Sequence, residues 1–322
     1  MIHIYKYSPS KKMEWNRFLS RSNNGVFLFH RDYMDYHSKR FIDFSLMVYE
    51  GEHLVALLPA NIDSNNSNRI ISHGGLSYGG FITDSRMGAP LMINIFREFI
   101  EYLNGENIDA IIYKKSPFIY HSCPSDEDLY ALFRIGARLV RRDASSTLYL
   151  KRTPLIQKNR IRAIKKAESA GIVVKESDDM AAFWKILQLN LARKHNKKPV
   201  HSFQEIMYLR ETFPQNIRLF ASYKDSAMLA GSLIYESPNV AHAQYIARNV
   251  DSKVPGSLDI LFSCLIAKYS SSKRYFDFGI STEDDGLYLN EALVFFKEGF
   301  GARSIVYDTY EVDINESIKT EY

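Results

Sequence analysis

Apolar residues in this chain fall into two alternating kinds of run, short ones bounded by turn residues and longer ones at helical spacing. Leu46–Tyr49 and Leu54–Ala60 flank Glu50-Gly51-Glu52 and predict a hairpin, and Ile70 to Ile82 predicts a glycine-rich strand region. Leu91–Leu103 carries apolar residues at helical spacing, with Gly105 placed as its stop. Asp109–Tyr113 reads as a short buried strand, Glu127–Ile135 as a helix and Arg138–Leu150 as closing strands. The second half repeats the theme. Met180–His195 predicts a helix, Arg218–Tyr223 and Met228–Glu236 a hairpin, and Val240–Ala247 a third strand; Ser257–Tyr269 (helix), Tyr275–Phe278 (strand) and Leu289–Gly299 (helix) follow. The basic segment Lys151–Gly171 is predicted to be helical and to bridge the halves.

The halves are internally related. Gly136-Ala137-Arg138 and Gly301-Ala302-Arg303 each follow a helix and open a β-rich tail, 165 residues apart. The same offset pairs Pro90 with Pro255 and Ile111-Ile112-Tyr113 with Phe276-Asp277-Phe278. Hairpins and helix crossovers alternate in each half, which implies an α/β protein of two tandem domains, 1–150 and 151–322, each a mixed, mostly antiparallel sheet flanked by helices.

Composition narrows the class. The 322 residues suit two domains, and 46% hydrophobic residues suffice for two cores. Lys and Arg number 41 against 37 Asp and Glu, a net charge of +4, without the basic footprint of a dedicated DNA-binding protein. Cys123 and Cys264 form neither a CxxC pair nor a zinc spacing, so two reduced core thiols and no metal are expected. Met1 to Ser10 lacks an apolar signal-peptide core and no apolar run reaches membrane-spanning length, which predicts a cytoplasmic protein able to meet a lipid-linked substrate peripherally.

Three segments carry a family resemblance. Phe296-Lys297-Glu298-Gly299-Phe300-Gly301 is similar to the FKxxFG-type segment of Fem-type transferases. Arg160-Ile161-Arg162 with Lys165-Lys166 and Gly171-Ile172-Val173-Val174 resembles their inter-domain segment. Ser72-His73-Gly74-Gly75-Leu76-Ser77-Tyr78-Gly79-Gly80 resembles the SHxGLTYGG stretch of polysaccharide-associated relatives. The resemblance implies a tandem acetyltransferase-superfamily (GNAT-like) protein with an acceptor-side first domain and an acyl-donor second domain. It also implies an acyl-CoA co-substrate, acetyl-CoA first, although neither half has a complete Q/RxxGxG/A loop for the CoA pyrophosphate.

Candidate chemistry follows from residue type and from that resemblance. Lys253-Val254-Pro255-Gly256-Ser257 joins a strand to a helix, where free backbone N–H groups and the helix dipole suit a pyrophosphate and Lys253 adds a charge. Alternation places His242 and Gln244 on one strand face, with Gln244 assigned to the donor and His242 to proton removal. Asp277, Glu283 and Asp284 are further candidate bases. Lys297 lies among Phe295, Phe296 and Phe300, and the resemblance implies that it steadies a developing oxyanion. The glycines of Ser72 to Gly80 permit close approach of a sugar, with His73 and Tyr78 as its contacts. A short helix is expected over Phe29–Tyr33 and Tyr36-His37, and the resemblance assigns Arg31, His37 and Arg40, with Arg193 and His195, to the acceptor side.

The expectation is therefore an N-acyltransferase that acylates an amino sugar, nucleotide- or lipid-linked, for a bacterial surface polysaccharide. The amine would attack directly, because no Ser or Cys has a triad context. The alternatives are an aminoacyl-tRNA-dependent transferase acting on a cell-wall precursor, with tRNA as partner, and a non-catalytic module that binds a sugar nucleotide.

Overall fold

A computed structural model describes residues 1–195, 198–252 and 254–317. The chain divides into two compact units: residues 1–143, 285–287 and 306–317 form unit 1, and residues 144–284 and 288–305 form unit 2. The expected second domain of 151–322 is corrected at its end, because the last strand leaves unit 2 and finishes in unit 1. Basic segment 151–171 lies within unit 2.

Unit 1 opens with β1 (Ile2–Lys6), α1 (Lys12–Leu19) and the single turn α2 (Arg31–Met34). The hairpin β2 (Leu46–Glu50) and β3 (His53–Leu58) follows, then β4 (Asn61–Asp63), β5 (Asn66–Ile71) and β6 (Ile82–Thr83). Next come α3 (Ala89–Gly105), β7 (Ala110–Lys114), α4 (Glu127–Arg134) and the long β8 (Arg138–Tyr149), which runs on into unit 2. One sheet has the order β1-β2-β3-β6, and β4, β5 and β7 lie side by side in another. The expected glycine-rich strand is corrected: residues 72–81 form turns, because Gly80 takes φ +80° and backbone folds back on backbone there. Phe81, Phe96, Phe99 and Tyr113 centre a core to which Val312 and Ile314 of the returning chain contribute. Burial of each such aromatic ring is worth about 1.5–3 kcal/mol.

Unit 2 contains α5 (Lys158–Ser169), β9 (Val173–Glu176), α6 (Met180–His195) and α7 (Phe203–Thr212). Then come β10 (Ile217–Lys224), β11 (Ala227–Glu236), β12 (Val240–Arg248), α8 (Ser257–Tyr269) and β13 (Tyr275–Ile280). A small hairpin, β14 (Thr282–Glu283) with β15 (Tyr288–Leu289), precedes α9 (Glu291–Glu298). β16 (Arg303–Asp313) and α10 (Ile314–Ser317) return the chain to unit 1. The sheet order is β8-β13-β12-β11-β10-β9, antiparallel throughout except for β12 beside β13. Phe262, Phe276, Phe278 and Phe300 centre its core. Cys123 and Cys264 are both exposed, which corrects the expectation of core thiols.

Candidate functional site

β12 and β13 run parallel but pair only from Val240–Tyr275 to His242–Asp277. Beyond that rung β12 continues to Arg248 and β13 to Ile280 without pairing to each other. Parallel strands that part at their carboxyl ends leave an opening there, the usual position for a ligand in such sheets. His242 and Asp277 form the last rung before it.

Asp277 is fully buried. Its Oδ1 accepts from Ser145 Oγ at 2.6 Å, Thr147 Oγ1 at 2.7 Å and the Gly279 amide at 3.3 Å, while Oδ2 lies 2.8 Å from His242 Nδ1. Burial alone would raise its pKa, but the His242 bond and charge, with the two hydroxyls, outweigh it and hold the carboxyl down at about 2. An ionised carboxylate only accepts, so the proton of this bond sits on Nδ1 of His242. With Nδ1 committed to Asp277, Nε2 is the ring nitrogen left to face a substrate; it has no protein partner among the described residues, and the side chain is 16% exposed. A histidine held in this way can act as a general base with a fixed tautomer. Asp277, expected as a base itself, is corrected to a positioning role because no substrate proton can reach it.

Lys297 is buried, and its Nζ donates to Gly279 O at 2.7 Å, Ile280 O at 2.8 Å and Ser281 Oγ at 2.8 Å. Burial pushes its pKa down to about 8 against the opposing pull of Asp277. All three donors are engaged, so the expected oxyanion role is corrected: Lys297 braces the turn that follows Asp277. Gly279 in that turn takes φ +80°, and a Cβ there would come within 3.4 Å of His242 Cε1.

Gln244 has no cross-strand partner. Leu233 pairs with Tyr245 and Ile234 with Ala243, so Gln244 is the extra residue of a β-bulge. Alternation breaks there, and Tyr245, edge-on to Trp184 and bonded to His201 Nδ1 at 2.7 Å, comes to the face opposite Ala241 and Ala243. Glu283 is exposed and accepts from Asn290 Nδ2 at 3.2 Å, the side chain that caps α9.

The expected pyrophosphate loop is largely filled. Gly256 caps α8 at φ +78°, and a Cβ there would lie 2.4 Å from Ala163 O of α5. Ser257 is buried, and Asp259 in the first turn of α8 binds Arg160 Nη1 at 2.9 Å, setting a carboxylate at the positive helix end. Gly256 and Ser257 therefore serve packing, while Lys253 lies outside the described residues.

Four expected acceptor residues are core residues of unit 1. Buried Arg31 donates to Asp35, Asp43 and Ser45 and lies 3.7 Å above the Tyr7 ring. His37 and His73 are buried and stacked 5.1 Å apart, and burial holds His73 well below the usual histidine range. Tyr78 is buried against Tyr120. Arg193 is exposed and paired with Asp251 at 2.8 Å; the side chain of His195 lies outside the described residues.

Unit 1 shows what the same frame looks like without the chemistry. β5 and β7 are its parallel pair, ending at Ile71–Ile112, the rung equivalent to His242–Asp277. The 165-residue offset sets Leu132 opposite Lys297. Its opening is closed by backbone: the Ser72 amide donates to Ile112 O at 2.9 Å and the Gly79 amide to Lys114 O at 3.0 Å. A Cβ on Gly79 would lie 1.7 Å from Ser72 O, so the glycines of this stretch serve as a plug and not as a sugar platform. Sequence reasoning missed Ser145, Thr147 and Ser281. Only the pairing of β8 with β13 and the fold of the turn bring them to the site, and nothing local marks them.

No family sequence model matches this chain, and no curated protein sequence matches it. Solved structures do. FemX is 10% identical over 98% of both chains, with a TM-score of 0.67. The C-terminal domain of a putative lysylphosphatidylglycerol synthetase from Agrobacterium fabrum is 14% identical over 82% of this chain and 83% of that one, TM-score 0.57. A tandem GNAT protein from the clavulanic acid biosynthesis pathway is 10% identical over 98% and 99%, TM-score 0.53. The fold is thus the tandem GNAT-like fold that FemX shares. No helix among the described residues is long and apolar enough to cross a membrane.

Proposed function

We propose that unit 2 transfers an acyl group to an amine, with acyl-CoA as donor and the amino group of a nucleotide- or lipid-linked amino sugar as acceptor. The observation that carries this reading is the His242–Asp277 rung at the parting of β12 and β13. The amine nitrogen attacks the acyl carbonyl carbon, His242 Nε2 takes the amine proton, and the C–S bond breaks to release the thiolate. The imidazolium returns its proton to the thiolate or to solvent. Asp277 stays ionised and stabilises the imidazolium. The backbone of Gln244, which has no cross-strand partner on β11, is the proposed contact for the oxygen on which charge develops.

The test is acetyl transfer from acetyl-CoA to a set of uridine-diphosphate amino sugars, read by mass spectrometry with wild type and His242→Gln. Acetylated product from wild type and none from the variant supports the reading; equal product from both removes His242.

A second reading keeps the chemistry and changes the donor. Asp259 and Arg160 fill the α8 terminus where a CoA pyrophosphate would be held, and the fold is shared with FemX and with a domain of a putative lysylphosphatidylglycerol synthetase. An aminoacyl ester needs no such pyrophosphate cradle and is the alternative donor. Transfer from aminoacyl-tRNA together with none from acetyl-CoA selects it.

A further inference from the structure

The positive charge of this chain is concentrated in one place. Residues 151–166 hold seven Lys and Arg and no acidic residue, leaving 34 basic against 37 acidic residues elsewhere. The net charge of +4 therefore comes entirely from a sixteen-residue stretch of unit 2. On α5, Lys158, Ile161, Arg162 and Lys165 recur at helical spacing and are all exposed, while Ala163 and Ala167 on the other side face Gly256 and the core. Lys158, Arg162, Lys165 and Lys166 pair with no carboxylate among the described residues, unlike Arg160 beside them.

Apolar side chains lie exposed next to this charge. Leu155, just ahead of α5, is 82% exposed, and Ile161 is 40% exposed. The start of α5 is tied to the end of α9: the Gln157 amide donates to Gly299 O at 2.9 Å, Arg160 sits 4.6 Å above the Phe296 ring, and Leu155 backbone packs on Gly301. Around α9, Tyr288 is 58% exposed, Leu289 45%, Leu293 36% and Phe295 57%. Six large apolar residues at the surface beside unpaired cations is an arrangement that water does not favour.

The geometry points to a docking surface for an anionic lipid bilayer, formed by residues 151–166 with the β15–α9 edge. The cations match the negative headgroups, and the aliphatic and aromatic side chains enter the boundary between headgroups and acyl chains. The mix of residues decides against nucleic acid. A phosphodiester backbone would use the cations, and bases could stack on Tyr288 and Phe295, but Leu155, Ile161, Leu289 and Leu293 would stay in water in such a complex, whereas a bilayer covers them. Lys297 lies on α9 itself, so this docking sets the edge of the proposed site against the membrane and makes a lipid-linked acceptor the accessible class. The docking stands on charge and exposure alone; only the acceptor class rests on the acyl-transfer reading.

The test is flotation of the purified chain with vesicles of phosphatidylcholine alone and of phosphatidylcholine with phosphatidylglycerol in equal parts. Wild type is expected to float with the anionic vesicles only, less as salt rises. The triple variant Lys158→Gln, Arg162→Gln, Lys165→Gln is expected to bind on the order of 100-fold more weakly, at about fivefold per charge. The exposed pair Leu155→Ser and Phe295→Ser provides a second variant whose folding does not depend on the cations, and it is expected to weaken binding at high salt. No flotation of wild type, equal flotation with both vesicles, or undiminished binding by the triple variant overturns the proposal. So does binding to polyuridylate without binding to vesicles. His242→Gln should float as wild type does, so a failure of the catalytic reading leaves this result intact.

Discussion

Oδ2 of Asp277 lies 2.8 Å from Nδ1 of His242, while Ser145 and Thr147 hold the other carboxylate oxygen at 2.6 and 2.7 Å. The carboxylate has one orientation and so fixes one tautomer of the imidazole. Asp277→Asn should therefore lower turnover by about 10²–10⁴-fold and leave the KM for the acyl donor within severalfold. Steady-state kinetics checks it; a KM effect without a kcat effect would assign Asp277 to binding.

Lys297 makes stability depend on pH in an identifiable way. Its folded pKa of about 8 lies below the ordinary lysine value, so the unfolded chain binds more protons than the folded one between about pH 8 and 10. Stability from this group is lowest below pH 8, where both states are charged, and rises as pH climbs through that window. The rise is worth about 3 kcal/mol at most. Urea unfolding of wild type and Lys297→Met across this range should show a difference that changes by roughly that amount. A constant difference contradicts the buried ammonium.

Gly256 tests whether the α8 terminus is packed or open. With φ +78° and Ala163 O 2.4 Å from a would-be Cβ, Gly256→Ala should destabilise unit 2 by about 1–3 kcal/mol. Thermal unfolding reads the loss. An unchanged midpoint together with weakened acetyl-CoA binding would restore the loop as a pyrophosphate cradle.

Arg31 separates burial from acceptor binding. Its charged hydrogen bonds to Asp35 and Asp43 lie against the Tyr7 ring, and both carboxylates stay partly in water without it, so Arg31→Met should cost about 1.5–3 kcal/mol of stability. Chemical denaturation measures this. A fully stable variant with a raised KM for the acceptor would return Arg31 to the substrate.

Much of the fold was legible because periodicity and turn residues repeat in both halves. The bounds of α8 and α6 follow from the sequence, since their apolar positions are bracketed by Gly256 and by Met180–His195 spacing. The site was legible in part. His242 and Asp277 stand out as polar residues in apolar strands, and Lys297 as a cation among phenylalanines. Their roles were not, because a role depends on the partner across the sheet: Ser145 and Thr147 come from β8, more than a hundred residues from Asp277. Alternation gave no sign of the register break at Gln244, as a bulge adds one residue without a signature of its own. Burial misled for Arg31, His73 and Tyr78, since a charged or polar residue reads the same in sequence whether it meets a ligand or fills a core.

The most direct measurement is kcat for acetyl transfer from acetyl-CoA to an amino-sugar acceptor by wild type, His242→Gln and the unit 1 variant Ile112→Val. The account predicts a fall of at least about 10²-fold for His242→Gln and an unchanged kcat for Ile112→Val, because only unit 2 carries the dyad. Undiminished turnover by His242→Gln, or a comparable loss in Ile112→Val, would contradict it.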